Sequence, residues 1–294
     1  MMFTGNCLCG DIAFEIGGKM DIVGHCHCSM CRKYHGSAFA TVGTIAREDF
    51  RWVRGADRVR AYRSSAKRCR HFCPRCGSVV PTIGAGQPFA LVPVGNVAED
   101  PENRPHLHFF TGSKAPWHNI VDDLPQHPAY APDFGTDLVA EDRRPREPRT
   151  PGPIGGSCLC GAVVFEFDGP PLRMYNCHCS RCRLAVSAAY QTVLRAHLSG
   201  FRWLAGREKV AGYRMPETRF ECAFCTVCGS RTPWERGEQV CVPAGCLDSD
   251  PGQEPSDNIF TASRAAWTVV DERLQTWPEA AAWSRSSHLP RTAS

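Results

Sequence analysis

The sequence predicts an all-β fold written twice in tandem, and three observations carry that prediction. Fourteen of the eighteen cysteines fall in one spacing that occurs twice: C-x-C, then C-x-C-x-x-C, then C-x-x-C-G-S. Apolar residues between the cysteines alternate with polar ones at the period of two that a half-buried strand requires. A stretch rich in Pro, Gly and charge, residues 131–156, separates the copies and reads as a linker, semi-stiff where its prolines cluster. The expected organisation is therefore a first domain at 1–130, the linker at 131–156, a second domain at 157–285 and a tail at 286–294.

The duplication extends well beyond the cysteines. At an offset of 151, Cys7-Leu8-Cys9-Gly10 meets Cys158-Leu159-Cys160-Gly161, and Cys26-His27-Cys28-Ser29 meets Cys177-His178-Cys179-Ser180. Phe50-Arg51-Trp52 meets Phe201-Arg202-Trp203 at the same offset, which becomes 152 at Cys73/Cys225 and 150 at Trp117/Trp267. Self-similarity at so long a period means two full structural units rather than solenoid turns.

Within a copy the elements follow in order. Ile12, Phe14 and Ile16 alternate with Ala13 and Glu15, as Val163, Phe165 and Phe167 do in the second copy, and each set predicts a strand. Residues 50–53, a Gly55-Ala56-Asp57 turn and residues 59–62 read as a hairpin. Residues 78–83, 89–94 and 106–110 are further short strands between Gly and Pro breaks. Helix signal is confined to a turn after Cys31 and to residues 278–283.

Bulk properties narrow the function classes. With 43% apolar and 10% aromatic residues in 294, the chain is globular, and no apolar run approaches the roughly 20 residues of a membrane helix. The first cysteine cluster opens at Cys7, which leaves no room for a signal peptide and predicts a cytoplasmic protein. In that reducing setting eighteen cysteines point to metal binding rather than disulfides. The formal charge of +4 would fall to about −2 once metals sat on fourteen thiolates, so net charge gives no reason to expect a nucleic-acid partner. The arginines at 47–70, interleaved with Phe50, Trp52 and Tyr62, are the residue of that reading, and the second copy keeps only half of them.

Seven thiols per copy is an informative number, because a tetrahedral Zn²⁺ takes four and leaves three, the ligand count of a site with an open position. Cys7, Cys9, Cys73 and Cys76 form paired knuckles suited to a closed structural zinc, with Cys158, Cys160, Cys225 and Cys228 as counterparts. A redox role for Cys73-Pro74-Arg75-Cys76 lacks the βαβ setting it would need. Cys26, Cys28 and Cys31, with Cys177, Cys179 and Cys182 in the second copy, can cap one face of an ion and leave a position for an exogenous ligand. Three sulfurs make a poor Lewis acid for hydrolysis but a natural seat for a small thiol that attacks a small electrophile. His27 and His178, each between two ligands, are expected to point away from the metal. Cys69 and Cys222 are candidate fourth ligands that fail to align. The alternative is a non-catalytic zinc-stabilised module that binds a protein.

The pattern resembles the glutathione-dependent formaldehyde-activating enzyme family, which includes centromere protein V. The resemblance rests on Gly5-x-Cys7-x-Cys9-Gly10, Cys26-His27-Cys28-Ser29-x-x-Cys31 and Phe72-Cys73-x-x-Cys76-Gly77-Ser78. It extends to His108-Phe109-Phe110, Lys114-Ala115-Pro116-Trp117 and Asp122-Asp123-Leu124-Pro125. It implies an all-β Mss4-like fold and two zincs per domain, structural on Cys7, Cys9, Cys73 and Cys76 and catalytic on Cys26, Cys28 and Cys31. It also implies carbon–sulfur lyase chemistry, with glutathione adding to formaldehyde. Arg32, Arg63, Arg70 and Lys114 are the implied candidates for seating glutathione carboxylates. The second copy departs from the pattern, with Asn258 for His108, Cys222 for Arg70 and Cys246 for Asn96. The first copy is therefore expected to be nearer the family's working form.

Overall fold

The computed structural model describes residues 2–66, 68–84, 86–132 and 152–285. Most of the expected linker (133–151) and the whole expected tail (286–294) lie outside the described residues. The first repeat runs β1 (Met2–Asn6), β2 (Ala13–Gly17), β3 (Val23–Cys26), α1 (Ser29–His35), β4 (Ala40–Ala46) and β5 (Phe50–Arg54). It continues through β6 (Arg60–Arg63), β7 (Cys69–Phe72), β8 (Val79–Val80), β9 (Thr82–Ile83), β10 (Phe89–Pro93) and β11 (His108–Phe109). The second repeat runs β12 (Ile154–Ser157), β13 (Val164–Phe167), β14 (Arg173–Cys177), α2 (Ser180–Val186), β15 (Gln191–His197), β16 (Phe201–Ala205) and β17 (Val210–Arg214). It ends with β18 (Glu221–Cys225), β19 (Arg231–Thr232), β20 (Trp234–Arg236), β21 (Gln239–Pro243), β22 (Asp257–Ile259), β23 (Gln275–Trp277) and α3 (Ala282–Arg285).

Each repeat builds the same three small sheets. In the first they are β1-β2-β5, β11-β3-β4-β10-β9 and β6-β7-β8. In the second they are β12-β13-β16, β20-β21-β15-β14-β22-β23 and β17-β18-β19. The fold is all-β, as predicted. The alternating pattern of β2 turns Phe14 and Ile16 inward, where Phe14 stacks on Phe50 with ring centroids 5.8 Å apart.

The predicted hairpin at 50–62 does not form. β5 returns to β2 and β6 pairs β7, so the two segments lie in different sheets. Gly55 explains the divergence: its φ is +69°, and a Cβ there would lie 2.2 Å from the Asp11 carbonyl oxygen. The chain passes too close to the first cysteine knuckle to fold back on itself, and a short 3-10 turn at Ala56–Arg58 redirects it. The helix expected after Cys31 starts earlier, at Ser29, because Cys28 caps it by accepting from the Cys31 N–H at 3.3 Å. At the C-terminal end, α3 occupies only Ala282–Arg285.

The repeats pack reciprocally around one shared core. Phe72 faces Phe224 with ring centroids 6.5 Å apart, and Phe39 meets Tyr190 edge-on at 5.6 Å; each pair joins equivalent positions. Gly95 and Gly245 are equivalent too. A Cβ on Gly95 would meet the Ala188 backbone N at 2.4 Å, and one on Gly245 the Arg32 carbonyl at 2.4 Å. Glycine at both positions lets each repeat press its backbone onto the other's helix end. His35 Nδ1–H donates to the Val186 carbonyl at 2.7 Å, and the buried Lys33–Asp248 pair closes at 2.5 Å. Arg231, 1% exposed, reaches from β19 to the carbonyls of Cys76 (3.0 Å) and Ala185. Among the described residues, no helix is long and apolar enough to cross a membrane.

Candidate metal centres

The two four-cysteine sets assemble as the spacing predicts. The Sγ atoms of Cys7, Cys9, Cys73 and Cys76 lie within 4.8 Å of one another, as do those of Cys158, Cys160, Cys225 and Cys228. Tetrahedral zinc with bonds of about 2.3 Å needs sulfurs about 3.8 Å apart. The observed Cys7–Cys9 and Cys9–Cys73 separations are 3.5 and 3.7 Å, and Cys158–Cys160 and Cys160–Cys225 are 3.4 and 3.9 Å. The knuckles are preorganised by their own backbone: the Ile12 N–H donates to Cys7 Sγ at 3.3 Å, and the Leu8 N–H to Ser78 Oγ at 3.1 Å. Gly77 closes the second knuckle at φ +70°. One thiol of each set ionises first: hydrogen bonds led by Cys7 hold Cys76 far below the usual thiol range, and those led by Cys158 do the same for Cys228. The donor set fits a closed zinc site.

The two triads also come together, Cys26 with Cys28 and Cys31, and Cys177 with Cys179 and Cys182. In each, the first cysteine ends a strand, the second caps a helix and the third sits in its first turn, so three sulfurs converge at a strand-to-helix corner. Among the described residues, neither Cys69 nor Cys222 joins either group. Cys69 lies on the wall of the neighbouring cavity, and Cys222 accepts from Arg231 Nη1 at 3.2 Å. Hydrogen bonds from Cys26 and Cys28, helped by the Arg70 guanidinium, hold the Cys31 thiol well below its usual range. Both Arg70 Nη atoms stand 3.9 Å from Cys31 Sγ, the guanidinium stacks over Tyr34 at 5.0 Å, and its Nε donates to Ser64 Oγ at 3.1 Å. Of the four cations implied as carboxylate seats, Arg70 alone is placed at the triad. Arg32 donates to the His27 carbonyl, Lys114 to that of His118, and Arg63 to that of Ala66.

The surroundings of the two triads differ. The first opens onto a cavity of about 470 Å³ lined by all three cysteines, Arg68, Arg70 and a largely apolar wall. In the second, Tyr175, Ile259, Trp234, Trp277 and Trp283 pack into one cluster with Cys177 and Cys182. Trp283 Nε1–H donates to Asp257 Oδ1 at 3.2 Å, and Arg173 and Arg195 stack on its ring at 4.6 and 5.4 Å. Hydrogen bonds from Cys177 and Cys182 draw the Cys179 pKa down to about 3.

The opposite face of β3 carries residues whose association the sequence did not reveal. His27 Nε2 lies 2.8 Å from His108 Nδ1, and His108 Nε2 lies 2.8 Å from Asp122 Oδ1. With the carboxylate accepting, His108 carries its proton on Nε2 and accepts from His27 Nε2–H. His27 Nδ1 is then a buried acceptor, and it has no hydrogen-bond partner. His27 therefore points away from the triad, as expected. In the second repeat Asn258 Oδ1 receives Asn176 and His178 at 3.2 and 3.3 Å, so amides replace two of the imidazoles. The two networks face a small cavity of about 50 Å³ between the repeats, lined by His25, His108, His118, Asn176, His178 and Asn258 among others.

Comparison with known proteins identifies the family. The family model described as glutathione-dependent formaldehyde-activating enzyme matches residues 2–113 and again 153–263. A Halomonas elongata protein carrying the provisional name of a glutathione-dependent formaldehyde-activating enzyme is 26% identical over 128 residues, which cover 41% of this chain and 82% of its own. A crystal structure of a Rhodobacter sphaeroides protein aligns over 42% of this chain and 99% of its own, at 24% identity and a TM-score of 0.29. The chain belongs to the glutathione-dependent formaldehyde-activating enzyme family, whose pattern it carries twice.

Proposed function

We propose that this chain is a zinc-dependent enzyme of the carbon–sulfur lyase class, joining glutathione to formaldehyde or a related small electrophile at the first-repeat triad. Cys7, Cys9, Cys73 and Cys76 would hold a structural zinc, as would Cys158, Cys160, Cys225 and Cys228. Cys26, Cys28 and Cys31 would hold a zinc with an open position, and Cys177, Cys179 and Cys182 a second, giving two per domain. The proposed domains are 1–130 and a second that starts with β12 at Ile154 rather than at 157, joined by the residues between. A reducing cytoplasm suits eighteen free thiols.

The observation that carries the reading is the triad's position on the wall of a cavity with Arg70 beside it. Zinc, when bound, favours the ionised form of a thiol and holds it near neutral pH. The chain supplies the rest. Arg68 and Arg70 offer two cations and Asp21 one anion around the same cavity, the complement of glutathione's two carboxylates and one ammonium. The Arg70 charge also offsets the sulfur-rich ligand set. Walls of apolar side chains keep water from the reacting sulfur.

Exchange between formaldehyde and S-hydroxymethylglutathione, followed by NMR with and without the protein, tests this directly. Acceleration that disappears in Cys28→Ala supports the reading, and a rate equal to that in buffer refutes it. For the second repeat, the packing of Trp283 and Tyr175 against the triad favours the other reading, a zinc-stabilised module without catalysis.

A further inference from the structure

We propose that the first-repeat site takes a hydrophobic aldehyde as its electrophile, with the aldehyde's hydrocarbon chain lodged in the chamber beside Cys26, Cys28 and Cys31. This rests on the catalytic reading above and names the substrate class of the same site. The chamber's 470 Å³ must seat glutathione together with the electrophile, and formaldehyde, with two heavy atoms, makes no use of its apolar wall. Three charged groups, Asp21, Arg68 and Arg70, answer the charges of glutathione. Its carboxylates cannot go deeper without unpaired burial, which costs several kcal/mol. The remaining wall is mostly apolar, with Val42, Val79, Val80, Leu91, Phe109 and Phe110 among a few polar side chains such as Thr44, Thr82 and Tyr130. It matches an alkyl or aryl chain.

The chamber is a construction of this repeat rather than a by-product of the fold. Gly24 on β3 makes room for the Phe109 ring, since a Cβ there would lie 2.8 Å from its Cε2. At the equivalent positions the second repeat has Tyr175 and Ile259, which exchange the large and small side chains and pack beside Cys177 and Cys182. Thr82 and Leu91 line the chamber, whereas their counterparts, Trp234 and Cys241, are packed into the cluster around Cys177 and Cys182. Among the described residues, the same scaffold thus borders a cavity in one copy and a packed cluster in the other.

The chemistry balances without a further reactant. The thiol loses its proton, and the sulfur lone pair forms the C–S bond to the aldehyde carbon. The carbonyl π pair moves to oxygen, which takes up a proton, giving a hemithioacetal with no change in oxidation state.

The test pairs rates with binding on the metal-replete full chain. Hemithioacetal formation above the spontaneous rate is measured with formaldehyde and with octanal, and calorimetry compares S-methylglutathione with S-octylglutathione. Burial of the alkyl chain predicts at least about tenfold higher kcat/KM for octanal and at least about tenfold tighter binding of the octyl thioether. Thr82→Trp, which copies the second repeat, is expected to erase both preferences while leaving zinc content unchanged. Preference for formaldehyde with equal affinity for the two thioethers would overturn the substrate class and leave the catalytic reading standing. No acceleration with either aldehyde and no binding of either thioether would overturn both.

Discussion

Trp283 lies against Tyr175 with ring centroids 5.0 Å apart, and both pack beside the second cysteine triad, whereas the described residues around the first triad line a cavity. Two copies of one ligand pattern therefore stand in two environments. The difference in environment, rather than in ligands, separates their expected roles.

Cys28→Ala should cost at least about a hundredfold in glutathione-dependent activity, because it removes a ligand from the open site. Cys179→Ala should leave activity within about threefold. Each variant should lose about one zinc, read by elemental analysis, and keep the other sites. Tyr175→Gly, Trp234→Thr and Trp283→Ala together should open space beside the second triad, yet with Cys222 in place of Arg70 glutathione should bind there at least about tenfold more weakly than at the first.

Arg70→Gln should weaken glutathione binding by about tenfold while leaving zinc content unchanged. The guanidinium lies within 3.9 Å of Cys31 Sγ, so its loss should also move the pH profile of kcat/KM to higher pH. A variant with normal binding and an unmoved profile would show that Arg70 only stacks on Tyr34.

Arg231 holds the first repeat's knuckle and the second repeat's helix through the carbonyls of Cys76 and Ala185. Its counterpart is Val79, so Arg231→Val imposes the first repeat's residue on the second. Leaving these buried acceptors unpaired should destabilise the chain by about 2–3 kcal/mol, measured by urea unfolding.

His35 supplies a pH dependence with a definite sign. Burial, against the raising influence of Cys31 and the Val186 carbonyl, lowers its pKa from 6.5 to about 4. The fold therefore holds it neutral, and its contribution is fully present above about pH 6.5. As the pH falls toward 4 the unfolded chain binds the extra proton first, and about 3 kcal/mol of stability should be lost. His35→Gln should flatten that slope in urea midpoints measured between those limits.

What was legible in the sequence follows the range of each interaction. The knuckles and triads are local spacings, and the residues that bind them into clusters needed only the repeat alignment to identify. The His27–His108 contact spans 81 residues and was missed, although a signal existed. In a strand where Cys26 faces the metal, His25 and His27 must both face the other way. The hairpin error has the opposite origin: residues 50–53 and 59–62 carry correct strand patterns, but the choice of partner was set by Gly55 passing the Asp11 carbonyl. The packing beside the second triad was written in Trp234 for Thr82. Reading it required knowing that this position lies beside the triad.

The most direct measurement is zinc content and glutathione affinity on one preparation of the full chain, with Cys28→Ala and Cys179→Ala alongside. An open site in the first repeat alone predicts about four zincs and about one bound glutathione, lost in Cys28→Ala and retained in Cys179→Ala. About four zincs with no glutathione bound, or equal loss in the two variants, would contradict it.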